Sequence, residues 1–316
     1  MIALSLNLLR QVNIMRAKAY LQIIIAMLLW GSLGYFVRMA DLPSSELVLL
    51  RIVLGGFFLL AVYLFSGRHS SSAALRRAAP LLLISGIAMG LNWLFLFEAY
   101  RYTTVSLATV AYYCSPVLVT LCSPLLLHER IAPLRLLGIF SALTGLVLIA
   151  GGLSGSGANL RGFGCGLLSA CFYAGVTLMN KKVRGISGIE STLLQLLGAF
   201  LVMLPYTLIE QNGVLHLPQT PRAIIAVLIL GIVHSGIALF LYFSSLQTLS
   251  AQSAALCSYI DPGSALLFSA LLLHEHMTRL QIVAAVLILG GALVGELVSP
   301  TGKARKRRSC ACVTAF

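Results

Sequence analysis

Charged residues are scarce in this chain. Asp, Glu, Lys and Arg make up 10% of its 316 residues, and only nine of these are acidic. Soluble domains carry roughly 25% charged residues, so this chain cannot form a hydrated surface over its whole length. A hydrophobic fraction of 59% and a mean hydropathy of +0.96 instead indicate a protein of the lipid bilayer.

Several chemical motifs are also missing from the sequence. The seven cysteines form no CxxC pair and lie mostly in apolar runs, so we expect neither disulfides nor a metal site. No P-loop is present, which argues against ATP as the energy source within this chain. The two His-Glu turns do not extend to HExxH, and no convergent nucleophile or metal cluster stands out. We therefore expect no enzyme activity and no cofactor.

Apolar runs long enough to cross a membrane as helices, which takes about 20 residues, recur along the chain. They occupy residues 19–37, 46–65, 78–100, 103–127, 134–152, 162–180, 190–209, 223–243, 252–273 and 278–298. The eighth and ninth runs are separated only by the polar cluster SSLQTLSAQS. The predicted fold class is an all-α integral membrane protein with about ten transmembrane helices.

The chain also repeats itself. Residues 94–152 recur as residues 239–297, so that Pro116 aligns with Pro262 at a distance of 146 residues. Solenoid and propeller repeats are 20–50 residues long, so this longer period indicates a duplicated half-protein. The predicted domains are a cytoplasmic segment at 1–18, five-helix repeats at 19–152 and 162–298, a linker at 153–161, and a basic cytoplasmic tail at 299–316.

Lys and Arg are distributed unevenly between the loops. Sixteen of the 22 fall on one side of the predicted spans, together with both termini, and five fall on the other side. Because cytoplasmic loops are enriched in Lys and Arg, we expect both termini in the cytoplasm of a multi-pass bacterial inner-membrane protein. The net charge of +13 then reflects membrane topology, and no nucleic-acid partner is expected. Since five is odd, the second repeat is inverted relative to the first, which is typical of secondary transporters.

Four stretches resemble the EamA-type branch of the drug/metabolite transporter superfamily. They are LLWGSLGYF in the first span, LLRIVLGGFFLL in the second, EAYRYTTVSLATVAYYCSPVLVTLCSPLLLHERIAPLRLLGIFSALTGLVLI, and its C-terminal counterpart SYIDPGSALLFSALLLHEHMTRLQIVAAVLILGGALVGEL. The resemblance covers nearly all of residues 19–298. Where the family more often has Gly-Glu after the fourth span, this chain has His128-Glu129, matched by His274-Glu275, and the two histidines have no assigned role.

The resemblance implies membrane transport of small molecules. Members of the superfamily are associated with export of amino acids and other metabolites, with drug efflux, and with exchange of sugar phosphates or nucleotide sugars. We expect a secondary active transporter, an exporter of a small polar metabolite such as an amino acid or amine. Efflux of drug-like cations, exchange of sugar- or nucleotide-type metabolites, and a non-transporting membrane sensor or assembly subunit stay open as alternatives.

The expected partners follow from these features. They are a small-molecule substrate, a proton or counter-substrate that drives transport, and membrane lipid. The basic KARKRR stretch of the tail suits an anionic lipid surface. The sequence leaves the oligomeric state open.

Arg51 and Glu98 are the first candidate site residues, because ionisable side chains inside a span are costly and default to functional roles. Each lies a few residues inside the predicted outer end of its span. The two side chains therefore lie at similar depth, and we expect them on the wall of an outward-facing vestibule, as a pair. A structural ion pair, or side chains that reach the membrane interface, is the alternative.

His234 and Asp261 are the second candidate pair. Counted at 1.5 Å per residue, their depths in the eighth and ninth spans agree to within about a turn near the membrane midplane. Such a pair could bind a proton or an ammonium group. The alternatives are a buried core histidine and a carboxylate that caps a helix break.

Two prolines are predicted to interrupt helices beside this site. Pro116 and Pro262, at matching repeat positions, should free the carbonyls of Tyr112 and Ser258. Broken helices at membrane depth are tolerated where they line a cavity. Tyrosines and tryptophans near the two breaks are the expected walls of a substrate pocket: Tyr112, Tyr113 and Tyr259 first, with Trp30, Trp93, Tyr173 and Tyr242. Two loop carboxylates, Glu129 and Glu275, are expected to contact helix N-termini.

Overall fold

The structure is a computed structural model that describes residues 2–66, 70–103, 105–129, 131–151, 160–272 and 279–297. All regular secondary structure in these ranges is helical. The first half contains α1 (Ile2–Gly31), α2 (Leu33–Ala40), α3 (Ser44–Ser66), α4 (Ser72–Tyr102), α5 (Val105–Tyr112), α6 (Ser115–Leu127) and α7 (Pro133–Gly151). The second half contains α8 (Leu160–Lys182), α9 (Gly188–Glu210), α10 (Pro221–Leu228), a π-helical segment (Ile229–Ile237), α11 (Ala238–Leu246), α12 (Ala251–Cys257), α13 (Ile260–Leu272) and α14 (Arg279–Leu297).

These helices form five membrane spans in each half. Within the described ranges, seven helical stretches are long and apolar enough to cross a membrane, and the shorter apolar helices 133–148 and 282–296 complete the two halves. The ninth span consists of α12 and α13, which follow each other with a short interruption. The predicted all-α membrane fold of about ten spans in two inverted five-helix repeats is confirmed. Large apolar side chains such as Phe57, Leu125 and Leu137 are more than half exposed on the outside, as contact with lipid requires.

The first helix begins earlier than the apolar pattern predicted. α1 starts at Ile2, and its membrane-compatible part starts at Asn13, whereas the expected span began at Ala19. No Pro or Gly occurs before Gly31. Because these are the residues that end helices most strongly, the backbone has no chemical reason to stop near Ala19.

Three spans are interrupted within the part of the chain that the structure describes. The interruptions lie at Ser32, between α5 and α6, and between α12 and α13. The last two precede Pro116 and Pro262, where the sequence predicted kinks. The carbonyl of Ser258 is not free, however, because it accepts the backbone N–H of Asp261 at 3.3 Å. The chain tightens into a short turn before Pro262 and so satisfies this carbonyl itself.

Helices of the two halves pack in backbone contact through glycine. A Cβ atom on Gly86 of α4 would lie 2.7 Å from the Cα atom of Gln195 on α9. A Cβ atom on Gly198 would lie 2.9 Å from the Cα atom of Gly86. Small residues at helix crossings allow such approach in membrane proteins. The crossing of α4 and α9 is therefore a close backbone contact that joins the two halves.

Candidate functional site

A cavity of about 570 Å³ lies between the two halves of the molecule. One end, which we call the mouth, lies at the connection between α2 and α3, where Arg38 and Ser44 line the cavity. Its floor is near the interruptions of the fourth and ninth spans, where Tyr112, Tyr113 and Asp261 line it. Small-molecule sites usually have volumes of about 300–1,000 Å³. In inverted-repeat transporters the substrate site lies between the repeats near the midplane, so this cavity has both the size and the position of a substrate site.

Eleven of the 28 residues that line the cavity are aromatic. Tyr242 stands among them, with its ring centroid 5.3 Å from that of Trp30 and 6.3 Å from that of Tyr173. The Tyr242 hydroxyl shares a hydrogen bond with Thr177 Oγ1 at 3.0 Å, which fixes the ring. Six of the seven aromatic residues expected to form walls do line the cavity: Trp30, Trp93, Tyr112, Tyr113, Tyr173 and Tyr242.

Arg51 brings a positive charge into this wall. It lies seven residues along α3 from Ser44, roughly 10 Å along the helix axis at 1.5 Å per residue. Its Nε donates a hydrogen bond to Ser235 Oγ at 3.1 Å. Among the described residues, no carboxylate forms an ion pair with Arg51. Within the described part of the chain, the guanidinium therefore has no counter-charge in direct contact.

Glu98 is not the partner of Arg51 that its depth suggested. Its Oε1 accepts hydrogen bonds from Arg101 Nη1 and from the Tyr206 hydroxyl, both at 2.8 Å. Arg101 also lies 3.1 Å from Glu210. Glu98 thus belongs to a cluster that joins the ends of α4 and α9, away from the cavity lining. The reason is local, because residues three apart on a helix face each other.

Asp261 brings a negative charge to the floor. Its Oδ2 accepts the hydroxyl hydrogen of Tyr113 at 2.7 Å, so this bond links the two interrupted spans, one from each half. Tyr259 donates its hydroxyl hydrogen to the carbonyl of Tyr113 at 3.2 Å, and these two tyrosines are 146 residues apart. Tyr259 is fully buried and does not line the cavity. Tyr259 therefore supports the floor from outside the cavity, through its hydrogen bond to Tyr113. The prediction that its ring forms part of the cavity wall is wrong.

His234 does not meet Asp261. It lies in the π-helical segment, with ring Nε2 3.1 Å from Ser32 Oγ and Nδ1 3.3 Å from the carbonyl of Ile229. It is buried outside the cavity lining. The predicted pairing assumed a regular α-helix in the eighth span. A π-helical turn adds a residue and rotates the side chains around it, so depth alone placed His234 wrongly.

The end of the bundle opposite the mouth is closed by polar side chains. Arg135, which is 3% exposed, donates to Gln252 Oε1 at 2.9 Å and to Ser253 Oγ at 3.0 Å. Its Nη2 also lies 3.7 Å from Glu296. Glu296 accepts hydrogen bonds from the hydroxyls of Ser253, at 2.9 Å, and Tyr20. We call Arg135, Gln252, Ser253 and Glu296 the polar seal; none of the four lines the cavity.

Glu129 attaches the α6–α7 connection to the same end. Its carboxylate accepts the backbone N–H groups of Ala251, at 3.0 Å, and Gln252, at 3.3 Å, at the start of α12. The predicted contact of Glu129 with a helix N-terminus is thus confirmed. The equivalent prediction for Glu275 falls outside the described residues, as do the linker up to residue 159 and the basic tail.

Sequence reasoning missed the polar seal and the π-helical segment. Glu296 was detectable, because it is an ionisable residue in the last apolar run. Lys181, assigned only to a basic loop, donates to the carbonyl of Leu246 at 2.7 Å beside the seal. Nothing in the sequence singled out Ser235, whose hydroxyl accepts the hydrogen bond of Arg51, since buried serines are common in membrane helices.

The described residues contain no group of three or more His, Cys, Asp and Glu side chains suited to a metal ion. The chemistry that the cavity offers is that of one carboxylate, two guanidiniums and many aromatic rings.

Comparison with known proteins identifies the family. The EamA-like transporter family matches the chain twice, over residues 17–151 and 160–295. The chain belongs to the EamA-like transporter family. Each match covers one five-helix half of the molecule. The transporter is therefore an integral membrane protein that acts on a small-molecule substrate.

Three proteins similar to the transporter are named as a transporter, an efflux pump and an exporter. It is 30% identical to the uncharacterized transporter YxxF of Bacillus subtilis, over 92% of each chain. It is 26% identical to a protein named probable amino-acid metabolite efflux pump of Salmonella typhimurium, over 69% of this chain and 78% of that protein. It is also 30% identical to the pseudopaline exporter CntI of Pseudomonas aeruginosa, over 46% of this chain and 49% of that protein.

A solved structure described as a crystal structure of a protein superposes with a TM-score of 0.75. The match covers 88% of the transporter and 97% of that chain, at 22% sequence identity. This likeness concerns the fold alone.

Proposed function

We propose that the transporter is a secondary active exporter of a small zwitterionic metabolite of the amino-acid type. One observation carries this proposal: Arg51 and Asp261 both line the cavity, and they form no ion pair with each other. Both side chains are partly buried, and a charge removed from water is costly unless a partner compensates it. A ligand with a carboxylate for Arg51 and an ammonium group for Asp261 would compensate both charges at once.

The charge balance of the lining favours a zwitterion over the alternatives. A simple organic cation would leave the Arg51 guanidinium, which also lines the cavity, without a counter-charge. A sugar phosphate would leave Asp261 facing a second negative charge. Aromatic rings such as Trp30 and Trp93 suit an apolar side chain, and they also suit the ammonium group through cation–π attraction.

Export requires that the cavity open alternately to the two sides. The mouth lies between α2 and α3, which the distribution of Lys and Arg places outside the cell, and the polar seal then lies on the cytoplasmic side. On this assignment, we infer an outward-open state with a closed cytoplasmic end. The names of two relatives, an amino-acid metabolite efflux pump and a pseudopaline exporter, support export.

A proton is the coupling partner that the site suits best. Acidic side chains within membrane spans mark proton pathways in pumps and transporters. Asp261 lies in the cavity beside the proposed substrate, whereas His234 lies outside it. We therefore assign proton coupling to Asp261 and a structural role to His234. Substrate and proton would then bind to overlapping positions in one state, which couples their movements through differential affinity.

Transport by the purified protein in liposomes tests this function. The panel comprises alanine, leucine and phenylalanine, each with its amine that lacks the carboxylate and its acid that lacks the amine, together with a sugar phosphate and a lipophilic cation. We expect counterflow with at least one amino acid at a rate about ten times that of its two matched analogues. Preferential transport of the lipophilic cation or of the sugar phosphate would overturn the proposal in favour of that alternative.

A further inference from the structure

The π-helical segment Ile229–Ile237 packs directly against α3. A Cβ atom on Gly55 of α3 would lie 2.9 Å from the carbonyl oxygen of Gly231 and 3.0 Å from the carbonyl carbon of Ser235. A Cβ atom on Gly236 would lie 2.8 Å from Phe58 Cδ1. Only glycine at position 55 permits this backbone approach, which sets the register of the two elements.

This register brings Ser235 to Arg51. Gly55 is four residues after Arg51 and therefore lies on the same face of α3. Ser235 is 1% exposed, and its hydroxyl oxygen accepts the hydrogen bond of Arg51 Nε at 3.1 Å. The hydrogen bond uses the Nε–H group alone. An arginine has five N–H donors in a planar fork. No described residue accepts a hydrogen bond from the two terminal nitrogens, so they can bind a ligand in the cavity that Arg51 lines.

The opposite side of the π-helical segment is attached to the cavity wall. The carbonyl of His234 accepts the indole N–H of Trp30 at 3.0 Å, and the His234 ring contacts Ser32 at the α1–α2 interruption. Both Trp30 and Arg51 line the cavity. One π-helical turn thus positions an aromatic wall residue and a guanidinium together, and π-helical turns occur frequently at functional sites.

We propose that Ser235 is a positioning residue that orients the Arg51 guanidinium toward the cavity and thereby sets the preference for substrates that carry a carboxylate. This inference rests on the proposed function, because it assigns the carboxylate of the substrate to Arg51. With Nε bound to Ser235, rotation of the guanidinium is restricted and its two terminal nitrogens present a bidentate site. Bidentate pairing of guanidinium with carboxylate depends on this planar geometry.

Intrinsic fluorescence provides a direct readout of binding. Trp30 and Trp93 are the only two tryptophans of the chain, and both line the cavity. Ligands that enter the cavity should therefore change the emission of the purified protein in detergent. The probes are leucine, 3-methylbutylamine, which lacks the carboxylate, and 4-methylpentanoate, which lacks the amine, with the matched alanine and phenylalanine sets.

The variants distinguish a role of Ser235 in orienting Arg51 from a role in helix packing. Ser235→Ala removes the hydrogen bond to Arg51, and Ser235→Thr retains a hydroxyl at the same position. Ser245→Ala is the matched control, since Ser245 is also fully buried but donates its hydroxyl to the carbonyl of Tyr242 on its own helix, at 2.7 Å. Thermal unfolding of each variant in detergent shows whether it is folded.

We expect the parent to bind the amino acid more tightly than either analogue. Ser235→Ala should weaken binding of the amino acid about 3- to 10-fold, the value of one hydrogen bond, and leave binding of the amine unchanged. Ser235→Thr and Ser245→Ala should retain the preference of the parent. In an Arg51→Lys background, Ser235→Ala should not change the preference for the amino acid any further, because lysine has no planar guanidinium for Ser235 to orient.

Two results would overturn the inference. One is an unchanged ratio of amino-acid to amine affinity in Ser235→Ala. The other is an equal loss for all three probes together with a lowered unfolding temperature, which would assign Ser235 to packing. A parent protein without preference for the amino acid over its analogues would instead refute the proposed function, and the inference with it.

Discussion

The two ends of the helix bundle are built from equivalent parts of the repeat but carry different chemistry. At the closed end, Arg135 and Glu296 form part of the polar seal. At the positions 146 residues away, the sequence has Gln281 and Ala150. Because the repeats are inverted, these positions belong to the mouth end, where glutamine and alanine cannot form an ion pair. The charge pair of the closed end is therefore not repeated at the two matching positions of the sequence.

Other contacts are the same at both ends. Glu190, at the start of α9, accepts the backbone N–H of Ser70 at 2.9 Å. Glu46, near the start of α3, accepts the backbone N–H of His216 at 3.1 Å. The two carboxylates are 144 residues apart and the two loop residues 146 apart. Contacts that attach a loop to a helix are therefore kept in both repeats, whereas contacts that close an end differ.

The largest effect is expected inside the open cavity. Arg51→Ala should lower transport of the amino-acid substrate roughly 10- to 100-fold, because a hydrogen bond to a charged group contributes about 1.5–3 kcal/mol. The measurement is initial flux in liposomes at equal reconstitution. Arg101→Ala is the matched control, since its side chain is 55% exposed near the same end, and it should stay within about twofold of the parent. Equal flux in Arg51→Ala and the parent would remove Arg51 from the site.

Asp261 and His234 should respond differently to substitution. Asp261→Asn retains the size of the side chain but cannot ionise, so transport should fall about tenfold and lose its dependence on pH. His234→Gln should keep the pH profile of the parent, because His234 lies outside the cavity lining. Flux measured against pH in liposomes checks both. A pH profile that flattens in His234→Gln and persists in Asp261→Asn would reverse the assignment.

Weakening the polar seal should make the closed end more accessible. Arg135→Gln removes the charge that compensates Glu296, which destabilises the closed arrangement. Cys257, which is 6% exposed in the adjacent core, should then react about fivefold faster with a membrane-impermeant thiol reagent added on that side. The assay uses a background in which the other six cysteines are serine. Arg76→Gln is the control, because Arg76 is exposed and donates a hydrogen bond to the carbonyl of Ser72 on its own helix. Faster labelling in both variants would contradict the prediction.

The smallest effects are expected at the shared loop contacts. Glu190 accepts hydrogen bonds from Ser70 and Ser187, including both backbone N–H groups at 2.9 Å, whereas Glu46 accepts two from His216 alone. Glu190→Gln should therefore lower stability by about 1 kcal/mol, roughly 2–4 °C in unfolding temperature, and Glu46→Gln by less. Thermal unfolding in detergent measures both. A loss of transport in either variant without a loss of stability would show that these contacts also take part in gating.

The sequence predicted the candidate site in part. Tyr112, Tyr113, Asp261 and Arg51 were selected because ionisable and aromatic residues at membrane depth are unusual, and the structure brings all four to one cavity. Both predicted charge pairs were wrong in their partners. Depth along a helix is readable from residue counts, but rotation about the helix axis decides which side chains meet. The π-helical segment changed the rotation of His234 about the helix axis. The i,i+3 contact with Arg101 gave Glu98 a different partner.

The sequence by itself determined the membrane environment, the number of spans and the duplication, because these depend on composition, on run length and on self-similarity, which are properties of the chain alone. The tertiary structure decided which charges face the cavity, which end is closed, and that Ser235 holds Arg51. Those outcomes depend on contacts between residues far apart in the chain, such as the 184 residues between Arg51 and Ser235. The backbone proximity at Gly55 and Gly231 that permits this contact exists only after the helices have packed.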